Sequence, residues 1–121
     1  MPKKILIADD EEDVKAVVQL FLESKGYDIV TAFDGLDAME RAKEEHPDLI
    51  ILDIMMPIID GFEVCKKLKA DPELAKIPVV MLSASSHSES KQRGLDAGAV
   101  DYLIKPFEPE QLERVIKNVL A

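Results

Sequence analysis

The chain has 121 residues, of which 47% are hydrophobic and 32% charged, which suits one compact domain and leaves little room for a second. Its net charge of −9 argues against direct binding to nucleic acid or to an anionic membrane, since both need a basic footprint. A single cysteine, Cys65, excludes an internal disulfide, and neither a signal-peptide pattern nor an apolar run of membrane-spanning length is present, so a cytoplasmic location is expected.

Five short apolar runs punctuate the chain: "ILIA" (5–8), "YDIVTA" (27–32), "DLIILDI" (48–54), "PVVMLSA" (78–84) and "DYLIKP" (101–106). The first, third and fourth are nearly solid apolar, as parallel strands covered on both faces are. Segments with helical spacing lie between them. Val14, Val17, Val18, Phe21 and Leu22 form the first stripe. Leu36, Met39 and Ala42 form a second, and Phe62, Cys65 and Leu68 a third, which makes Cys65 a packed core thiol. Residues 87–97 read as a fourth helix despite Gly94. Leu112, Val115, Ile116, Val119 and Leu120 form the last stripe. Gly26 and Gly98 follow helices, and Pro109 sits in the first turn of the last one. Strands alternating with helices predict an α/β fold: a five-stranded parallel sheet with helices on both faces, doubly wound.

In such sheets ligands bind outside the carboxyl ends of the strands. The first strand ends in Asp9 and Asp10, the third in Asp53, the fourth in Ser83 and the fifth in Lys105. Two carboxylates about 4 Å apart repel by about 4 kcal/mol at an effective dielectric near 20. Either their pKa values rise or a cation sits among them. An oxygen-only cluster suits a hard ion, and Mg2+ fits well. A lysine and a hydroxyl beside it suit a phosphoryl group, and aspartate is a known covalent acceptor of one. On this reading Asp53 is the nucleophile, Mg2+ bridges it to Asp10 with Asp9 in support, and Lys105 and Ser83 hold phosphoryl oxygens. Each residue also has a plain structural reading. Asp9 or Asp10 fits a cap of the first helix, Ser83 a strand-end hydroxyl and Lys105 a solvated loop lysine. Glu11, Glu12 and Asp13 read as partners of the helix dipole. His46 and His87 read as surface residues.

At these residues the chain resembles the receiver domains of two-component response regulators, the CheY-like fold, over essentially its whole length (1–121, one receiver domain). "ILIADDEEDV" resembles the first-strand acidic pair. "DLIILDIMMPIIDGFEV" resembles the phosphorylation-site segment, "VVMLSAS" the strand-four hydroxyl motif, and "AGAVDYLIKPF" the strand-five Lys-Pro-Phe motif. The resemblance implies a flavodoxin-like sheet order of 2-1-3-4-5. It implies that Asp53 is the phosphoacceptor, taking its phosphoryl group from a phosphohistidine on a sensor histidine kinase or a histidine phosphotransfer protein. It further implies a self-phosphorylating switch with at most slow self-dephosphorylation, and not a turnover enzyme. Asp10, Asp53 and the backbone carbonyl of Met55 would ligate Mg2+, with Asp9 acting mainly through water. Ser83 and Tyr102 match the switch pair. Met55 and Ser85 match two positions that flank the phosphoryl group. Met55 brings no polar group to orient water, so a long-lived aspartyl phosphate is expected.

The signalling face is expected on the fourth helix, fifth strand and last helix. There Lys91, Asp96 and Asp101 fit a charge set for phosphorylation-dependent homodimers, whereas Val100, Gln111 and Val115 do not. The chain ends just after the last helix, so it is read as a stand-alone receiver acting on a downstream protein target, or as a receiver cut from a fused output domain. A haloacid-dehalogenase-type phosphatase would need a second Asp where Met55 stands. A flavodoxin-type carrier would need a phosphate-binding loop where "ADDEED" stands.

Overall fold

A computed structural model describes residues 2–84 and 88–121, with the side chains of 88–90 left aside. Ser85 and His87, and with them one of the two positions expected to flank a phosphoryl group, lie outside the described residues. The elements alternate strictly. Strands β1 (Lys4–Ala8), β2 (Asp28–Ala32), β3 (Leu49–Asp53), β4 (Val79–Ser83) and β5 (Asp101–Ile104) alternate with helices α1 (Glu12–Ser24), α2 (Gly35–Glu45), α3 (Gly61–Ala70), α4 (Ser88–Asp96) and α5 (Pro109–Leu120). All four strand pairs are parallel and the order is β2-β1-β3-β4-β5, as expected.

The near-solid apolar runs follow from that order. Strands β3 and β4 lie inside the sheet, and every residue of both is buried. Alternate residues feed opposite layers, because successive side chains leave opposite faces of a strand. Leu6, Ile50, Leu52 and Met81 pack on the face covered by α2 and α3, with Ala38, Phe62, Cys65 and Leu68. Ile5, Ile7, Ile51, Val80 and Leu82 pack on the other face, with Val18 and Leu22 of α1 and Leu112 and Ile116 of α5. Gly26 and Gly98 take positive φ values of 95° and 111° after α1 and α4, where glycine costs least. Among the described residues no helix is long and apolar enough to cross a membrane.

Two helical stripes differ from expectation. On α1, Val17 points to solvent and Lys15 is buried in its place. The Lys15 stem lies in the interior while its ammonium reaches the Ala32 carbonyl at 3.3 Å and Glu12 at 3.0 Å, so the charge is paired. On α2, Leu36 is exposed, and Gly35, Ala38 and Ala42 form the buried face. Small residues allow α2 to approach closely: a Cβ on Gly35 would stand 2.5 Å from the Ile59 carbonyl oxygen.

Candidate functional site

The carboxyl ends of the strands bring the expected residues together. Asp9 follows β1, Asp53 closes β3, Ser83 closes β4 and Lys105 follows β5. The backbone locks this edge. The Asp9 N–H donates to the Ala32 carbonyl at 3.2 Å, Ile54 N–H to the Leu82 carbonyl at 2.9 Å, and Lys105 N–H to the Ser83 carbonyl at 2.7 Å. The Lys105–Pro106 peptide bond is cis.

Asp9 and Asp53 are almost wholly buried, and Asp10 is exposed. Each offers an oxygen such that all three lie within 4.8 Å of one another. Lys105 Nζ donates to Asp9 Oδ2 at 2.9 Å, to Asp53 Oδ2 at 3.3 Å and to Glu11 Oε1 at 2.8 Å. The other Asp53 oxygen, Oδ1, accepts from the Met55 N–H at 3.3 Å. Loss of solvation and then the Asp9 charge push the Asp53 carboxyl up from 3.8 to about 7, against the opposing pull of Lys105. Burial works against the Lys105 charge as well. Its hydrogen bonds to Glu11 and Asp9, with the charges of Asp53 and Asp9, outweigh that and raise its pKa above the ordinary lysine value.

These values describe an edge with more negative charge than one lysine neutralises. Three carboxylates with hard oxygen donors, two of them buried, fit a small divalent cation such as Mg2+. Among the described residues no His or Cys belongs to the group, so this donor set does not suit softer metals.

Neither Asp9 nor Asp10 caps α1. Its N-cap is Glu11, without a side-chain cap bond, and Asp9 Oδ1 instead accepts from the Glu11 N–H at 2.9 Å. Ser83 is buried at the end of β4. Tyr102 is half-buried on β5 beside Met81, and packs against the core face covered by α2 and α3. Met55 is 72% exposed at the rim. His46 is exposed, as expected, and ends α2 with a left-handed φ of 46°. Cys65 is buried with its thiol 3.4 Å from the Ala97 carbonyl oxygen, and burial raises its pKa. On α4 and β5, Asp96 accepts from Gln92 at 2.8 Å, and Asp101 accepts from the Tyr102 N–H at 2.7 Å.

Sequence reasoning missed the part played by Glu11. Its carboxylate accepts from Lys105 at 2.8 Å and makes no cap bond to α1. Two features could have flagged it: a third acid directly after the pair, and a lysine that must serve several anions. Beside this ion pair, a groove of about 570 Å³ runs between α1 and the β5–α5 connection, lined by Val14, Val17, Phe107 and Pro109 among others.

Comparison with known proteins agrees with the geometry. Residues 5–117 match the response regulator receiver domain family. The alkaline phosphatase synthesis transcriptional regulatory protein PhoP of Bacillus subtilis is 45% identical over 120 residues, covering 99% of this chain and 49% of that protein. The DNA-binding dual master transcriptional regulator RpaA of Synechocystis is 43% identical, with the same coverage. The chain thus spans about half the length of these curated relatives. Among solved structures, the chemotaxis protein CheY4 of Vibrio cholerae superposes with a TM-score of 0.94 at 35% identity, covering 99% of this chain and 100% of that one. With its 2-1-3-4-5 sheet and its acidic edge, the chain belongs to the response regulator receiver domain family of two-component signalling.

Proposed function

We propose that Asp53 is the phosphoacceptor of this receiver, and that residues 1–121 form one receiver domain. The observation that carries the assignment is the position of Asp53: a buried carboxylate at the end of the central strand, with Asp9 and Lys105 both against it. A carboxylate held beside an ammonium in a water-poor site is a poised nucleophile. An Asp53 oxygen attacks phosphorus, the new P–O bond forms, and the bond to the donor breaks. With a phosphohistidine donor, the leaving group is an imidazole nitrogen, which keeps the bonding pair. The donor on this reading is a sensor histidine kinase or a histidine phosphotransfer protein.

Lys105 holds the acceptor and neutralises phosphoryl oxygens as charge shifts in the loose transition state. On this reading Ser83, at the end of the neighbouring strand, meets the same oxygens, and Tyr102 on β5 is its partner in the switch. Asp10, Asp53 and the Met55 carbonyl, supported by Asp9, would hold Mg2+, which supplies charge neutralisation when bound. The output is a change on the α4-β5-α5 face, read by a protein target or a fused output domain, or by a second copy in a homodimer. Full-length relatives named as transcriptional regulators favour a fused domain. The domain carries the switch in the cytoplasm and is not a turnover enzyme.

Incubation with acetyl phosphate and Mg2+ is expected to add one phosphoryl group by intact mass. Asp53→Asn is expected to abolish it, and labelling that persists would overturn the assignment. The Met55 side chain brings no polar group to orient water, so the acyl phosphate is long-lived on this reading. Met55→Asn is expected to speed its loss, and an unchanged or slower loss would remove Met55 from the account.

A further inference from the structure

An ammonium has three N–H donors, and on Lys105 three carboxylates take them. A phosphoryl group arriving at Asp53 brings new anionic oxygens to the same ammonium, so one carboxylate has to give way. The Asp9 and Asp53 side chains are only 1% and 5% exposed, and both are fixed at strand ends. The Glu11 side chain is 56% exposed, and its carboxylate makes no cap bond to α1. Its backbone is anchored on both sides: the N–H donates to Asp9 Oδ1 at 2.9 Å, and the carbonyl accepts from the Lys15 N–H at 3.0 Å. The carboxylate can therefore swing into water while the loop stays in place. Releasing it costs least of the three, because an exposed ion pair is worth little and a buried one much more.

We propose that Glu11 is a latch on Lys105, holding its ammonium in the unmodified protein and yielding when a phosphoryl group bonds to Asp53. This inference rests on Asp53 as the acceptor. Glu11 is then a positioning residue and shares no atom with the transfer. With acetyl phosphate, an Asp53 oxygen forms the new P–O bond, the P–O bond to the acetyl group breaks, and acetate leaves with the electron pair. The latch keeps Lys105 ordered between the buried acids, and it slows phosphorylation by competing for a donor that the incoming group needs.

The test removes the latch and compares it with a neighbouring charge. Glu11→Gln and Glu11→Ala are expected to raise the rate of phosphorylation by subsaturating acetyl phosphate with Mg2+ about three- to fivefold, the size of one partly exposed ion pair. Asp13→Asn removes a like charge from the first turn of α1 and is expected to change the rate less than about twofold, in line with surface charge screening. Affinity for beryllofluoride with Mg2+, followed by amide NMR, is expected to keep the same order. In a Lys105→Met background the gain from Glu11→Gln is expected to vanish in the binding titration. Unchanged or weaker phosphorylation and binding in both Glu11 variants would overturn the latch. So would an equal gain in Asp13→Asn, or a gain that survives Lys105→Met. Labelling that survives Asp53→Asn would break the acceptor assignment instead, so the two failures are distinguishable.

Discussion

The middle of the sheet and its carboxyl edge are made from the same strands and follow opposite rules. From Leu49 to Leu52, and from Val79 to Leu82, each residue is apolar, buried and packed on one of the two layers. One residue further on stand Asp53 and Ser83, and beside them Asp9, with like charges crowded around one ammonium. The middle contributes the stability, and the edge draws on it. A loosely packed sheet would let Asp9 and Asp53 drift apart and relax their repulsion. The stiff one holds them together, as sites built on rigid elements require.

The comparison breaks first in the middle. Leu52→Ala is expected to cost about 2–5 kcal/mol in urea unfolding, because Leu52 is fully buried in β3 one residue before the proposed acceptor. A loss below about 1 kcal/mol, the size of a surface substitution, would mean that β3 is not the mount described here.

At the edge the sign reverses. The Asp53 carboxyl is raised from 3.8 to about 7, so the folded protein holds this proton more tightly than the unfolded chain. The stability contributed by that group is fully present below about pH 4 and is lost as pH rises to about 7. Asp53→Asn keeps the neutral form at every pH. Without divalent ions it is expected to match the wild type near the acid end of that window. Above the window it is expected to exceed the wild type by on the order of 1–3 kcal/mol. Urea unfolding across the window measures the gap; a variant no more stable than wild type above neutrality would contradict a strained edge.

The smallest effect belongs to the β3–α3 connection. Ile58 is β-branched, 72% exposed, and holds a φ of 73°. That region disfavours β-branched residues, and little packing repays the cost here. Ile58→Asn is expected to stabilise by about 0.5–1 kcal/mol, since Asn tolerates left-handed geometry. A destabilised variant would show that Ile58 makes contacts that outweigh its backbone.

Much of this division is visible in the residue order. Solid apolar runs mark the buried strands, and the first polar residue after each run marks the edge. The shared edge of Asp9, Asp53, Ser83 and Lys105 is therefore legible in the residue order, because parallel strands must end on one side. What escaped depends on orientation within an element. Lys15 replaces Val17 on the buried side of α1 because a lysine stem is apolar and its tip reaches the Ala32 carbonyl. Leu36 gives way to Ala38 and Ala42 because α2 packs too closely for a large side chain. Glu11 has two good partners, the helix dipole and Lys105, and only the fold decides between them. Ile58 carries no left-handed signature in its residue type, so its φ was not legible.

The central claim, that the buried acid at the end of β3 takes the phosphoryl group, has a direct chemical readout. An aspartyl phosphate is an acyl phosphate, which borohydride reduces to homoserine. Protein treated with acetyl phosphate and Mg2+, trapped in this way and mapped by peptide mass, is predicted to carry homoserine at position 53 and nowhere else. Homoserine at Asp9, Asp10 or Asp60, with Asp53 intact, would contradict the account.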